Sequence, residues 1–86
     1  MHYTARRFWK CYGALPEIVR DTADQCYELL KAEPSHPSLH FKKLGKKYWS
    51  VRAGLDHRAL GVEVESDISW FWIGTHAEYD KLITKL

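Results

Sequence analysis

Hydrophobic positions follow two different periods along this chain. From Thr4 to Lys31 they recur every three or four residues, and from Leu39 to Trp72 they largely alternate. In the first part Phe8, Cys11, Tyr12 and Leu15 share one helical face, and Thr4 stands where its hydroxyl would cap the first turn. Gly13 weakens the end of that helix. Pro16 opens a second one, because its missing N–H costs nothing in a first turn. The segment EIVRDTADQCYELLKAE sets Ile18, Thr22, Cys26, Leu29 and Leu30 on one stripe, with Glu17, Asp21, Asp24 and Glu28 elsewhere. Acids early and Lys31 late agree with the helix dipole. Pro34 and Pro37 end the element. The expectation is a helical hairpin with one apolar side.

The second part predicts strands. SLHFKKL puts Leu39 and Phe41 opposite His40 and Lys42, and YWSVRA puts Trp49, Val51 and Ala53 opposite Tyr48, Ser50 and Arg52. RALGVEV groups Leu60, Val62 and Val64. ISWFWIG is apolar on both faces, as a strand covered on both sides should be. The short connections GKK, GLDH and ESD permit only antiparallel neighbours. HAEYDKLITKL then reads as a last helix that brings Tyr79, Leu82, Ile83 and Leu86 toward the core. The predicted class is α+β. An N-terminal helical hairpin packs on one face of a four-stranded antiparallel sheet, followed by a short C-terminal helix, in a single domain over residues 1–86. Two helices cover one sheet face, so the other should present Lys42, Tyr48 and Arg52.

Charge sharpens that expectation. The net charge is only +2, but it is blocked. Between His36 and Val62 six Lys and Arg stand against the single acid Asp56, while residues 17–33 and 59–86 are net acidic. A chain of this length buries only about 60–65 % of its unfolded surface. Four Trp, five Tyr and three Phe enlarge a core that would otherwise be thin. No apolar run approaches a membrane span, and no apolar stretch follows the basic N-terminus, so a soluble cytoplasmic protein is expected. Cys11 and Cys26 sit on the helical stripes, away from any His cluster, and read as small buried hydrophobes kept reduced. His2, His36 and His40 lack ligand-like spacing. No metal or other cofactor is expected.

The segments EPSHPSLHFKKL, YWSVRAGLDHRALG and WFWIGTHAEYDKL resemble the RelE/ParE superfamily, the toxins of bacterial type II toxin–antitoxin systems, and most of all a ParE-like subgroup. The resemblance implies a toxin held in check by a cognate antitoxin. Superfamily members divide their chemistry: RelE-type toxins cut mRNA on the ribosome, and ParE-type toxins inhibit DNA gyrase without cutting RNA. The first activity is the leading expectation here. Gyrase inhibition, or an inactive member of the family, is the alternative. The chain departs from the pattern twice. Members often begin with a strand, and only three residues precede Thr4. RelE-type members often carry Arg beside the His after the last strand, where this chain has Ala77 after His76.

Metal-independent RNA cleavage needs a base for the 2′-hydroxyl, cations for the phosphorane charge and an acid for the leaving 5′-oxygen. Arg52 and Arg58 match the family's strand arginines, and a guanidinium fork suits phosphate. They read otherwise as a solvated strand face. His76 can trade protons near neutrality, or simply start a helix. Tyr79 matches a family Tyr and can donate a hydrogen bond, or pack in the core. Lys43 is a further candidate for proton transfer, with Lys42 for phosphate contact. Lys46 and Lys47 would steer an anion, Tyr48 could stack a base, and His57 is a weaker candidate base.

Overall fold

Helix gives way to sheet where the period changes in the computed structural model, which describes all 86 residues. The strands are β1 (His2–Thr4), β2 (Lys42–Leu44), β3 (Tyr48–Arg52), β4 (His57–Val64) and β5 (Asp67–Thr75). The helices are α1 (Arg6–Gly13), α2 (Glu17–Ala32) and α3 (His76–Ile83). A single 3₁₀ turn, Pro37–Leu39, separates α2 from β2. The architecture is α+β, with the strands in the order β1-β5-β4-β3-β2.

The sheet has five strands and is mixed, which corrects the four antiparallel strands expected. β1 lies parallel to β5, pairing His2 with Ile68 and Thr4 with Trp70. Three residues are too few to display an alternation, so tertiary contacts specify this strand. The Ala5 N–H donates to the Trp70 carbonyl at 2.8 Å, and the Trp70 indole N–H donates to His2 Nδ1 at 3.1 Å. Thr4 therefore belongs to β1 and does not cap α1. Its hydroxyl accepts the Trp9 indole N–H at 3.0 Å, and Ala5 occupies the capping position without a side-chain bond.

The main core lies between the helical hairpin and one sheet face. Val51, Ala59, Trp70 and Ile73 of the sheet meet Ala23 and Leu30 of α2, with Phe8, Cys11 and Tyr12 of α1 packed alongside. The α2 side chains on the core are Ala23, Cys26, Tyr27, Leu29 and Leu30, which keeps Cys26, Leu29 and Leu30 of the expected stripe, while Ile18 is 76 % exposed. Cys11 and Cys26 are free thiols, and burial pushes the Cys26 thiol up.

The other face is not bare, contrary to expectation. Leu60, Trp72 and Tyr79 form a second buried cluster there, joined by Leu44, Phe71, Leu82 and Ile83. A β-bulge makes this possible. Leu60 pairs with Trp72 and Gly61 with Trp70, so Phe71 has no partner on β4. Trp70 thereby faces the hairpin while Trp72 faces α3. Gly61 leaves room for this arrangement, since an added Cβ would stand 2.7 Å from Ile68 and 2.9 Å from the Trp70 ring.

His2 ties stability to pH. Its ring stacks on Trp70, meets Phe41 edge-on and accepts the Trp70 N–H, a bond only an unprotonated Nδ1 can accept. Burial, and secondarily the N-terminal ammonium, lower its pKa from 6.5. As pH falls below 6.5 the unfolded chain takes up the proton first, so stability falls through the folded pKa. Denaturant titrations between pH 7.5 and 5 should show this decline, and His2→Phe should flatten it. An unchanged slope in that variant would remove His2 as the cause. The Glu63 and Glu78 carboxyls, both held below the usual carboxylate value, act only at lower pH.

Candidate functional site

The ladder between β3 and β4 places Arg52 directly opposite Arg58. The Ala53 N–H donates to the His57 carbonyl at 3.0 Å, which makes 52/58 a non-hydrogen-bonded pair, the type in which side chains come closest. Both side chains point to the α3 face, with the same parity as Ser50 and Leu60. Like charges opposite one another oppose strand pairing. Neither guanidinium belongs to an ion pair with a carboxylate. The Arg52 Nε is buried and makes no hydrogen bond. Arg58 Nη1 donates to the His57 carbonyl at 2.9 Å and the Gly54 carbonyl at 3.5 Å. Burial first, and then the Arg52 charge, lower the Arg58 pKa; Tyr79, Asp80 and Asp56 act in the opposite sense.

The start of α3 lies beside the turn that precedes Arg58, and Tyr79 acts on that arginine. Thr75 and Glu78 form a reciprocal capping box: the Glu78 N–H donates to Thr75 Oγ1 at 3.2 Å, and the Thr75 N–H donates to Glu78 Oε1 at 3.0 Å. The His76 N–H donates to the Asp56 carbonyl at 2.7 Å, tying the helix to the turn that precedes Arg58. His76 is exposed, and its Nδ1 lies 3.3 Å from Asp80 Oδ2. Tyr79 is only 5 % exposed and packs with Leu60 and Trp72, so its ring is a core element whose phenol acts on Arg58.

The lysines divide. Lys42 pairs with Ser50 and shares the face of the arginines, exposed. Lys43 pairs with Trp49 on the opposite face, where its Nζ lies 2.9 Å from Glu63. Glu63 also accepts the Trp49 indole N–H at 2.8 Å, and the two bonds, Lys43 first, lower its pKa. Lys43 is thus apart from Arg52 and Arg58 and its charge is taken up. Lys46 and Lys47 lie in the β2–β3 turn. With Tyr48, Leu44, Ile83 and Leu86 they line an open concavity of about 530 Å³. It is at the far end of β3 from Arg52, four residues or roughly 13 Å along the strand. The Lys47 ammonium sits 5.4 Å from the centre of the half-buried Tyr48 ring. His57 contributes its carbonyl to Arg58. Asp80 and the Asp56 carbonyl escaped the sequence reading. The spacing of His76 and Asp80, one helical turn apart, was the available signal for Asp80.

No helix is long and apolar enough to cross a membrane, and no three His, Cys, Asp or Glu side chains converge as a metal site. The fold is similar to the toxin–antitoxin assembly titled RelB–RelE from Methanococcus jannaschii, at 17 % identity and TM-score 0.71 over 93 % of this chain and 96 % of that one. It is equally similar to YafQ of Escherichia coli, at 14 % identity and TM-score 0.71 over 92 % and 96 %. The YoeB dimer from Staphylococcus aureus follows at 12 % identity and TM-score 0.63 over 87 % and 94 %. Comparison by sequence with curated proteins gives no match. The profile of the ParE-like toxin domain matches residues 17–81, from the start of α2 into α3. The chain therefore belongs to the ParE-like toxin domain family, within the RelE/ParE superfamily of toxins.

Proposed function

We propose that this toxin cuts mRNA on the ribosome by metal-independent chemistry and is held inactive by a cognate antitoxin. One observation carries the proposal: two adjacent guanidiniums, neither ion-paired, one with a buried Nε lacking any partner. A phosphodiester supplies acceptors for the accessible N–H groups of the two forks. The 2′-hydroxyl oxygen attacks phosphorus and the P–O5′ bond breaks, giving a 2′,3′-cyclic phosphate and a 5′-hydroxyl. Arg52 and Arg58 hold the non-bridging oxygens as negative charge builds on them. His76, exposed at the start of α3, exchanges the proton at the 2′- or 5′-oxygen. Tyr79 acts on Arg58 electrostatically from the buried cluster. Lys42, and farther off Lys46 and Lys47, attract the strand, with Tyr48 available to a base. An antitoxin tail of acidic and apolar residues would suit the same basic strands. The solved RelB–RelE assembly of similar fold supports a partner of that kind.

A second reading, inhibition of DNA gyrase by contact alone, draws on the fate of two candidates. Lys43 is engaged by Glu63 and Tyr79 is buried, which leaves His76 as the exposed proton carrier among the named residues. The protein should be added to translating ribosomes and to a gyrase supercoiling reaction in parallel. New mRNA 5′ ends with unaffected supercoiling are expected. Intact message with blocked supercoiling would replace the first reading with the second.

A further inference from the structure

We propose that Asp80 is a positioning residue for His76, holding its imidazole as the Nδ1–H tautomer so that Nε2 is the nitrogen left to exchange a proton. The proposal rests on the RNA-cleaving reading for its consequence, but not for its geometry. Nδ1 of His76 lies 3.3 Å from Asp80 Oδ2, one helical turn on, and Nε2 has no protein partner. A neutral imidazole carries one proton, and a carboxylate can only accept, so the proton belongs on Nδ1.

The surrounding contacts single out Asp80 as the acid for this ring. The capping box of Thr75 and Glu78 occupies the other acid of this first turn, because Glu78 Oε1 accepts both the Thr75 N–H and the Thr75 hydroxyl. Glu78 is therefore engaged and Asp80 is the acid left for the imidazole. The His76 N–H is fixed to the Asp56 carbonyl at 2.7 Å. The ring also leans on Tyr79, with centroids 6.0 Å apart and planes at 37°. Asp80 further acts on Arg58 electrostatically, so one carboxylate touches the proton carrier and influences the phosphate clamp. A solvent-exposed ion pair at this spacing stabilises a helix by only a few tenths of a kcal/mol. A purely structural role for Asp80 thus predicts almost nothing beyond a small change in melting.

The test combines a spectroscopic and a kinetic measurement on the whole chain. Long-range ¹⁵N–¹H NMR in alkaline buffer should show His76 protonated at Nδ1 in the wild type. Asp80→Ala should shift it toward Nε2–H, and so should Asp80→Asn, whose amide N–H can donate to Nδ1. Melting should move by no more than about 2 °C. In ribosome-dependent cleavage Asp80→Ala and Asp80→Asn should each lower kcat about 10- to 100-fold at little change in KM. A wild-type His76 protonated at Nε2, or a tautomer indifferent to Asp80→Ala, would overturn the proposal. Wild-type protein that cuts no message would overturn the nuclease reading instead, and the NMR result would then decide the Asp80 contact alone.

Discussion

Replacing Arg52 with alanine is expected to abolish toxicity while leaving the fold in place. Loss of one preorganised cation from a developing phosphorane costs about 10²–10³ in rate. Ordinarily, removing a half-buried Arg would also cost packing. Here the Nε has no partner to lose, and the neighbouring guanidinium of Arg58 is relieved of a like charge. Stability should therefore stay within about 0.5 kcal/mol of wild type or rise. Arg58→Ala should weaken cleavage comparably. Arg58→Lys should rescue it poorly, because an ammonium is a point charge and cannot hold two oxygens in a plane. The measurements are mRNA end mapping and a circular-dichroism melt on the same samples. Retained activity in Arg52→Ala would show that its guanidinium holds no substrate.

Trp70→Ala should have the largest effect on stability. The indole is 2 % exposed and stands where three parts of the molecule meet. It packs in the core with the hairpin, its N–H donates to His2, and its backbone carbonyl receives Ala5. Truncation leaves a void beside Gly61, which has no side chain to fill it. Large-to-small changes of this kind cost about 3–5 kcal/mol. For a domain of this size the melting midpoint should drop by more than about 12 °C. Trp70→Phe should recover part of the packing but not the His2 bond, which separates the two contributions. A loss below about 1 kcal/mol in Trp70→Ala would mean that β1 and the hairpin hold together without the indole.

The helices and β3, β4 and β5 were legible because each is long enough to display its period, whereas β2 was read only as part of the longer stretch from Ser38 to Leu44. β5 announced its double burial through Trp70, Phe71, Trp72 and Ile73. That Arg52 shares the Tyr48 and Ser50 side of β3 followed from parity alone. What escaped depended on contacts between distant residues or on single backbone angles. His40 adopts a left-handed φ of 46°, so the stretch around it is a 3₁₀ turn and a restart, not one strand. Nothing in HYT marks a strand until Trp70 is there to receive it. The bulge at Phe71 sends neighbouring tryptophans to opposite faces, which no strict alternation would anticipate. Alternation alone sends Lys42 and Lys43 to opposite faces, but only the register shows that Lys43 meets Trp49 while Lys42 meets Ser50. Asp80 was within reach of simple helical spacing.

The pairing of β1 with β5 couples residues 68 positions apart, His2 and Trp70. Closing a loop of that length carries an entropic cost on the order of 4 kcal/mol. Synthesis proceeds from the N-terminus, so residues 2–4 must wait, unpaired, until residues 68–70 have been made. The two arginines can meet in a β3–β4 hairpin earlier, but the helix that carries His76 begins only where β5 ends. The full set of candidate groups is thereby assembled last, after both the sheet and its final strand exist.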